Sequence, residues 1–130
     1  MAATFTVRAS GSASFHPEKV PGAFLDALIE ITSGAADYAA GGYAFGVAQL
    51  QALFGGAYST IESVEVANHW MATGGATTTQ LFLAEYDKVN QKVQAFGMAA
   101  AAGVGTGFSE CSNANANMNG RTCTLRVRFN

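Results

Sequence analysis

The sequence predicts an all-β, antiparallel single domain of the β-sandwich or jelly-roll class with one short helical turn. Three observations carry that expectation. The last segment alternates strictly, Cys123, Leu125, Val127 and Phe129 pointing one way and Thr122, Thr124, Arg126 and Arg128 the other, the period-2 mark of a strand with one buried face. Residues 78–86 and 92–96 flank Asp87-Lys88-Val89-Asn90-Gln91, a polar connection whose Asp and Asn suit a tight turn and so signal a hairpin. The chain opens on another alternating run, Thr4-Phe5-Thr6-Val7-Arg8. A chain that begins and ends on strands, with about five to seven more between, belongs to the sandwich or jelly-roll class.

The elements follow in order. Residues 9–23 carry Ser, Gly, two prolines and His16 and read as a loop. Residues 25–32 are ambiguous between helix and strand, but alternation puts Leu25, Ala27, Ile29 and Ile31 on one face with Asp26 and Glu30 on the other, which favours a strand. Residues 33–42 form a small-residue loop ending in Gly41-Gly42, and Tyr43-Ala44-Phe45 reads as a short strand. Val47, Leu50 and Leu53 or Phe54 recur at helical spacing and stop at Gly55-Gly56, one or two turns ended by glycine. Residues 61–71 return to strand, with Val64, Val66, Asn68 and Trp70 on one face and Glu65, Ala67 and His69 on the other. Residues 99–120, rich in Ala, Gly and Asn, form a loop longer than the usual limit of about 12–15 residues, with one short strand around Gly107-Phe108-Ser109. The single domain is expected to span 1–130: 1–24 as N-terminal strand and extended loop, 25–130 as the main sandwich.

Composition narrows the partners. The 130 residues carry a net charge of −2, and only 12% are charged. A phosphate-binding footprint is basic, so nucleic acid is not expected as a partner. No run approaches the ~20 apolar residues of a membrane span, and residues 1–10 lack the apolar core of a signal peptide, so synthesis in a cytoplasm is expected. There Cys111 and Cys123 are expected to stay reduced, Cys123 packing inward as a small hydrophobe. A surface built from Ala, Gly, Ser, Thr and Asn desolvates at little cost, which suits tight protein–protein packing; a neutral, soluble surface with no partner is the equal alternative.

Catalytic and metal chemistry fail on named requirements. His16 and His69 form no HxxxH, the cysteines no CxxC, and the carboxylates no cluster, so no metal ligand set is expected. The chain lacks GxSxG, and neither histidine stands near a serine in a strand-to-helix elbow. Glu62 and Glu65, the one dense carboxylate pair, point to opposite faces of a strand. Gly103-Val104-Gly105-Thr106-Gly107 has no lysine and opens no helix, so it is a loop rather than a phosphate cradle. No cofactor and no enzymatic activity are expected. Arg126 and Arg128 share the outward face of the last strand, and Arg8 has the equivalent place on the first. If those strands are neighbours the three make a modest positive stripe. We favour a solvated edge whose charge discourages aggregation, with an acidic partner surface as the alternative.

From residue 25 onward the order of signals is distinctive. Ile29-Glu30-Ile31-Thr32 leads to Tyr38 and Gly41-Gly42, then the turn 47–54 and the strand 61–66. Phe82-Leu83-Ala84-Glu85-Tyr86-Asp87 faces Asn90-Gln91-Lys92-Val93, and Gly107-Phe108-Ser109-Glu110, Asn119-Gly120 and the closing strand follow. Over residues 25–130 this resembles small β-sandwich proteins of tailed bacteriophages encoded near the head genes, several of which are capsid decoration, or cement, proteins. The resemblance implies a virion structural protein on the outer face of the phage head, a homotrimer bridging major capsid protein subunits. Tyr38, Tyr43 and Tyr58, near loops, are candidate interface anchors beside Arg8, Arg126 and Arg128, since aromatics and arginines dominate hot spots. Core packing is the alternative for each aromatic, and we favour it for Phe108. A contact held by burial rather than charge predicts weak salt dependence. The alternative function is a tail- or fibre-associated β-sandwich binding a host receptor or carbohydrate, with Trp70 and Tyr43 as a stacking platform.

Overall fold

The computed structural model describes residues 3–7, 24–56, 58–72, 82–98 and 108–130. The strands are β1 (Thr4–Val7), β2 (Leu25–Thr32), β3 (Tyr43–Ala44), β4 (Ile61–Ala72), β5 (Phe82–Asp87), β6 (Lys92–Met98), β7 (Phe108–Glu110) and β8 (Arg121–Phe129). One α-helix, α1 (Val47–Phe54), and a 3₁₀ turn at Ala116–Met118 complete them. The chain is mostly β and its pairing antiparallel, as the alternation predicts. All eight strands join one sheet in the order β1-β2-β8-β4-β5-β6-β3, with β7 also on β6. The sheet curls into a half-barrel. Phe5 of β1 and Phe45, just past β3, lie at opposite ends of that order, yet their rings stack at 5.9 Å. At the far edge β6 is covered by two short strands in succession, β3 at residues 92–93 and β7 at 96–98. Short edge strands leave little free ladder for another chain to extend.

Local chemistry accounts for the elements the sequence foretold. β8 lies between β2 and β4, and Cys123, Leu125, Val127 and Phe129 are wholly buried. On β2, Ala27, Ile29 and Ile31 face the same core. The β5–β6 hairpin closes on Asp87, whose Oδ1 accepts the N–H groups of Val89 (2.9 Å) and Asn90 (3.0 Å) while Oδ2 accepts from the Asn90 amide (2.7 Å). These bonds hold the Asp87 carboxyl below its usual range. Residues 78–81 of the expected hairpin lie outside the described residues, as does Gly107 of the short strand expected at 107–109. Helix α1 starts at Gly46, whose N–H donates to Gln49 Oε1 (2.8 Å), and ends at Gly55, whose φ of +100° suits glycine. It buries Leu50, and Phe54 stacks on Phe129 at 5.0 Å.

One expected face fails on β4. Trp70 is buried and Val64 and Val66 are half-buried, but Asn68, assigned to the same face, is exposed. The ladder to β8 carries irregularities between Val66 and Asn68 and between Asn68 and Met71. A bulge inserts an unpaired residue and resets the alternation, so strict period 2 cannot carry through it. Beyond the bulges β4 meets β5 at the Trp70–Phe82 pair, the joint between the two halves of the sheet.

Candidate functional site

The three tyrosines read as interface anchors lie inside the molecule, a correction to that assignment. Tyr38 is 2% exposed, Tyr43 9% and Tyr58 2%. The Tyr38 hydroxyl donates to Glu110 Oε1 (3.0 Å) and accepts the Ala95 N–H (2.9 Å). The Tyr43 hydroxyl donates to Asp37 Oδ1 (2.6 Å), and Asp37 Oδ2 accepts the Gly34 N–H (3.0 Å). Their rings meet edge-on at 5.4 Å, and Tyr43 continues to Trp70 at 5.7 Å. Tyr58 packs edge-on against Phe129 at 5.0 Å. A buried tyrosine needs a partner for its hydroxyl, and for Tyr38 and Tyr43 the carboxylates of Glu110, at the end of β7, and Asp37, in loop 33–42, supply it. Trp70, 1% exposed, donates its indole N–H to Gln94 O (3.2 Å), so the Trp70–Tyr43 pair is core and offers no stacking platform. The side chain of Phe108 lies outside the described residues.

Burial decides the protonation behaviour of this core. Burial and the nearby carboxylates push the hydroxyls of Tyr38 and Tyr43 well above the ordinary tyrosine range. Burial alone pushes the Cys123 thiol up to about 12, and burial with the Glu110 charge pushes Cys111 up to about 11. Each folded-state value is raised, so the stability these groups contribute is complete below the unfolded values of 9.0 for Cys and 10.0 for Tyr and is lost as pH climbs toward the folded values. We expect urea midpoints measured across the alkaline range to fall continuously above pH 9, and a midpoint flat to pH 12 would contradict this packing.

Both cysteines are free and buried. Thiolate is the reactive form, and the shifts above suppress it. Iodoacetamide at mildly alkaline pH is therefore expected to leave both thiols intact in folded protein and to modify both in denaturant, as intact mass would read.

A polar clasp ties loop 33–42 to residues 110–121. Ser33, buried, sets its hydroxyl against the Met118 and Arg121 carbonyls and accepts the Arg121 N–H (3.1 Å). Glu110 Oε1 also accepts the Gly41 N–H, Asn113 Oδ1 the Ala40 N–H (2.6 Å) and Asn119 Oδ1 the Ala36 N–H (2.8 Å). Arg121, buried at 4% exposure, donates Nε to Asn117 O (2.7 Å) and Nη1 to Trp70 O (3.4 Å), and its guanidinium lies 4.5 Å from the Phe82 ring centre. That cation–π contact is the kind that strengthens on desolvation. Sequence reading missed Arg121, although the parity of β8 places it with Cys123 and Leu125 on the inward face.

The exposed candidates sit on the outer face of β2, β8 and β4. Arg128 pairs in the ladder with Asp26 and Ser63, and Arg126 with Leu28 and Glu65. Arg128 grips Asp26 through Nε–Oδ1 at 3.1 Å and Nη2–Oδ2 at 3.3 Å, both side chains about half exposed. The pair holds the Asp26 carboxyl below its usual range, yet an exposed pair of this kind, screened by solvent, contributes little to stability. A depression of about 210 Å³ lies among Asp26, Ser63, Glu65, Arg126 and Arg128, and one of about 270 Å³ beside it among Asp26, Ala27, Leu28 and Arg126. The positive stripe fails on topology: β2 stands between β1 and β8, so the first and last strands are not neighbours. The β8 arginines face carboxylates on both sides instead. Arg8 lies outside the described residues.

No known family model, curated protein or solved structure matches the chain.

The remaining candidates have structural surroundings. His69 is exposed on β4, and its Nδ1 accepts the Ala84 N–H of β5 (3.0 Å), so the imidazole stitches the joint where ladder pairing is sparse. His16 lies outside the described residues. Among the described residues no three His, Cys, Asp or Glu side chains converge on a point that would hold a metal ion, and no described helix is long and apolar enough to cross a membrane.

Proposed function

We propose that this chain is a virion structural protein, a capsid decoration or cement protein that binds the outer face of a phage head and stabilises contacts between major capsid protein subunits. The reading begins from the resemblance over residues 25–130, and one observation gives it a surface. The outer face of β2, β8 and β4 presents arginines flanked by carboxylates and shallow depressions on a sheet whose inner face is fully packed. Such a face docks as a rigid unit, with little ordering to do on binding. Because the tyrosines are buried, the contact passes from aromatic anchors to Asp26, Leu28, Glu65, Arg126 and Arg128. The homotrimer and the location on the capsid surface belong to the same proposal. So does the sandwich or jelly-roll reading of the curled sheet, which the Phe5–Phe45 stack across its ends supports. The receptor-binding alternative is not carried further, since its proposed platform is core.

Co-sedimentation with heads of the encoding phage that lack this protein tests the proposal. Saturable binding is expected, and Arg126→Glu with Arg128→Glu should weaken it about tenfold, as reversed charges meet the wrong partner groups, while barely moving the thermal midpoint. Binding to isolated tails alone would overturn the reading, as would heads that bind the doubly reversed variant as well as the parent.

A further inference from the structure

Asn119 is the only asparagine in the sequence followed by glycine. Asn113 and Asn115 precede alanine and Asn117 precedes methionine. Both Asn119 and Gly120 are exposed, and nothing lies within 4 Å of where a Cβ on Gly120 would stand. This is the open approach that asparaginyl deamidation needs. The Gly120 nitrogen attacks Asn119 Cγ, forming the N–Cγ bond of a succinimide. The Cγ–Nδ2 bond breaks, and ammonia leaves with the proton from the Gly120 N–H. Water then opens the ring at either carbonyl, yielding aspartate or isoaspartate.

Both reacting groups are nevertheless tied down. The Gly120 N–H donates to Ser33 O (3.2 Å), and the Asn119 side-chain oxygen accepts the Ala36 N–H (2.8 Å). Ring closure swings the Gly120 nitrogen toward the Asn119 side chain, which breaks the first bond and strains the second. Ser33 reinforces the lock through its bonds to Met118, to Arg121 O and from Arg121 N–H. We propose that Asn119–Gly120 is a latent spontaneous modification site, held silent by the clasp between loop 33–42 and the start of β8 and released when that clasp opens locally.

The two products have different consequences. Aspartate at 119 keeps an oxygen for the Ala36 N–H and preserves the clasp. Isoaspartate adds a methylene to the main chain immediately before β8 and displaces Gly120 from Ser33. The site is thus a slow, irreversible record of how often this end of the sheet opens.

Peptide mapping of protein aged at mildly alkaline pH, folded and in guanidinium, tests this. In denaturant Asn119 is expected to convert before any other asparagine; in folded protein it should convert at least about tenfold more slowly, because reaction waits on local opening. Ser33→Ala should raise the folded rate several-fold and leave the denatured rate unchanged. Equal folded and denatured rates, earlier conversion at Asn113, Asn115 or Asn117, or a folded rate unmoved by Ser33→Ala would each overturn the proposal. If Ser33→Ala does not fold, hydrogen exchange at the Gly120 amide of the parent decides: protection supports the lock, and exchange at the free-peptide rate refutes it. Asn119→Asp should melt with the parent, and a large loss of thermal midpoint would contradict the tolerance of aspartate.

Discussion

Replacing Trp70 by alanine is expected to cost about 3–5 kcal/mol, the range for emptying a buried aromatic site. The residue is 1% exposed, packs on Tyr43 at 5.7 Å and supplies, with Phe82, the ladder pair that joins β4 to β5. Its carbonyl also accepts from Arg121 Nη1 at 3.4 Å, so repacking there disturbs the buried guanidinium too. Trp70→Phe isolates a smaller part of the loss. It retains a ring but strips the Gln94 carbonyl, part of a half-buried residue, of its indole donor, and losing one hydrogen bond costs about 1 kcal/mol. Urea denaturation followed by circular dichroism would separate the two variants. The parent, with a single tryptophan, should show a blue-shifted emission that moves red in the same transition.

Gly42→Ala should be about as damaging, about 3 kcal/mol or more, through the backbone rather than the core. Gly42 has φ +96°, and a Cβ there would sit 2.4 Å from the Val93 carbonyl oxygen and 2.8 Å from its carbon. Those atoms belong to β6, which pairs with β3 at Tyr43–Val93, so neither side can retreat without breaking the ladder. Gly56→Ala is the control: nothing lies within 4 Å of its Cβ position, and an effect within about 0.5 kcal/mol is expected of such a surface change. Equal melting of the two alanine variants would show that β3 does not approach β6 as described.

The sequence made the local features legible and left the non-local ones hidden. The inward faces of β2 and β8, the Asp87 turn and helix α1 each depend on residues a few positions apart, and each was readable. Asn68 was misplaced because a bulge has no compositional mark. Tyr38 and Tyr43 were taken for interface anchors because they stand in or beside a small-residue loop. Both rings belong to the core, their hydroxyls satisfied by Glu110 and Asp37, and Glu110 lies far along the chain from Tyr38. The arginine stripe was misjudged for the same reason. Placing β8 between β2 and β4 puts Asp26 and Glu65 beside Arg128 and Arg126, a juxtaposition of distant segments that alternation does not encode. Arg121 alone was recoverable, by extending the parity of β8 one step back.

Cryo-electron imaging of intact virions of the encoding phage tests the proposed role most directly. Density for this chain is expected on the outside of the head, at junctions between capsid subunits, with the β2–β8–β4 face toward the shell. Density confined to the tail, or head density that turns this face to solvent, would contradict it.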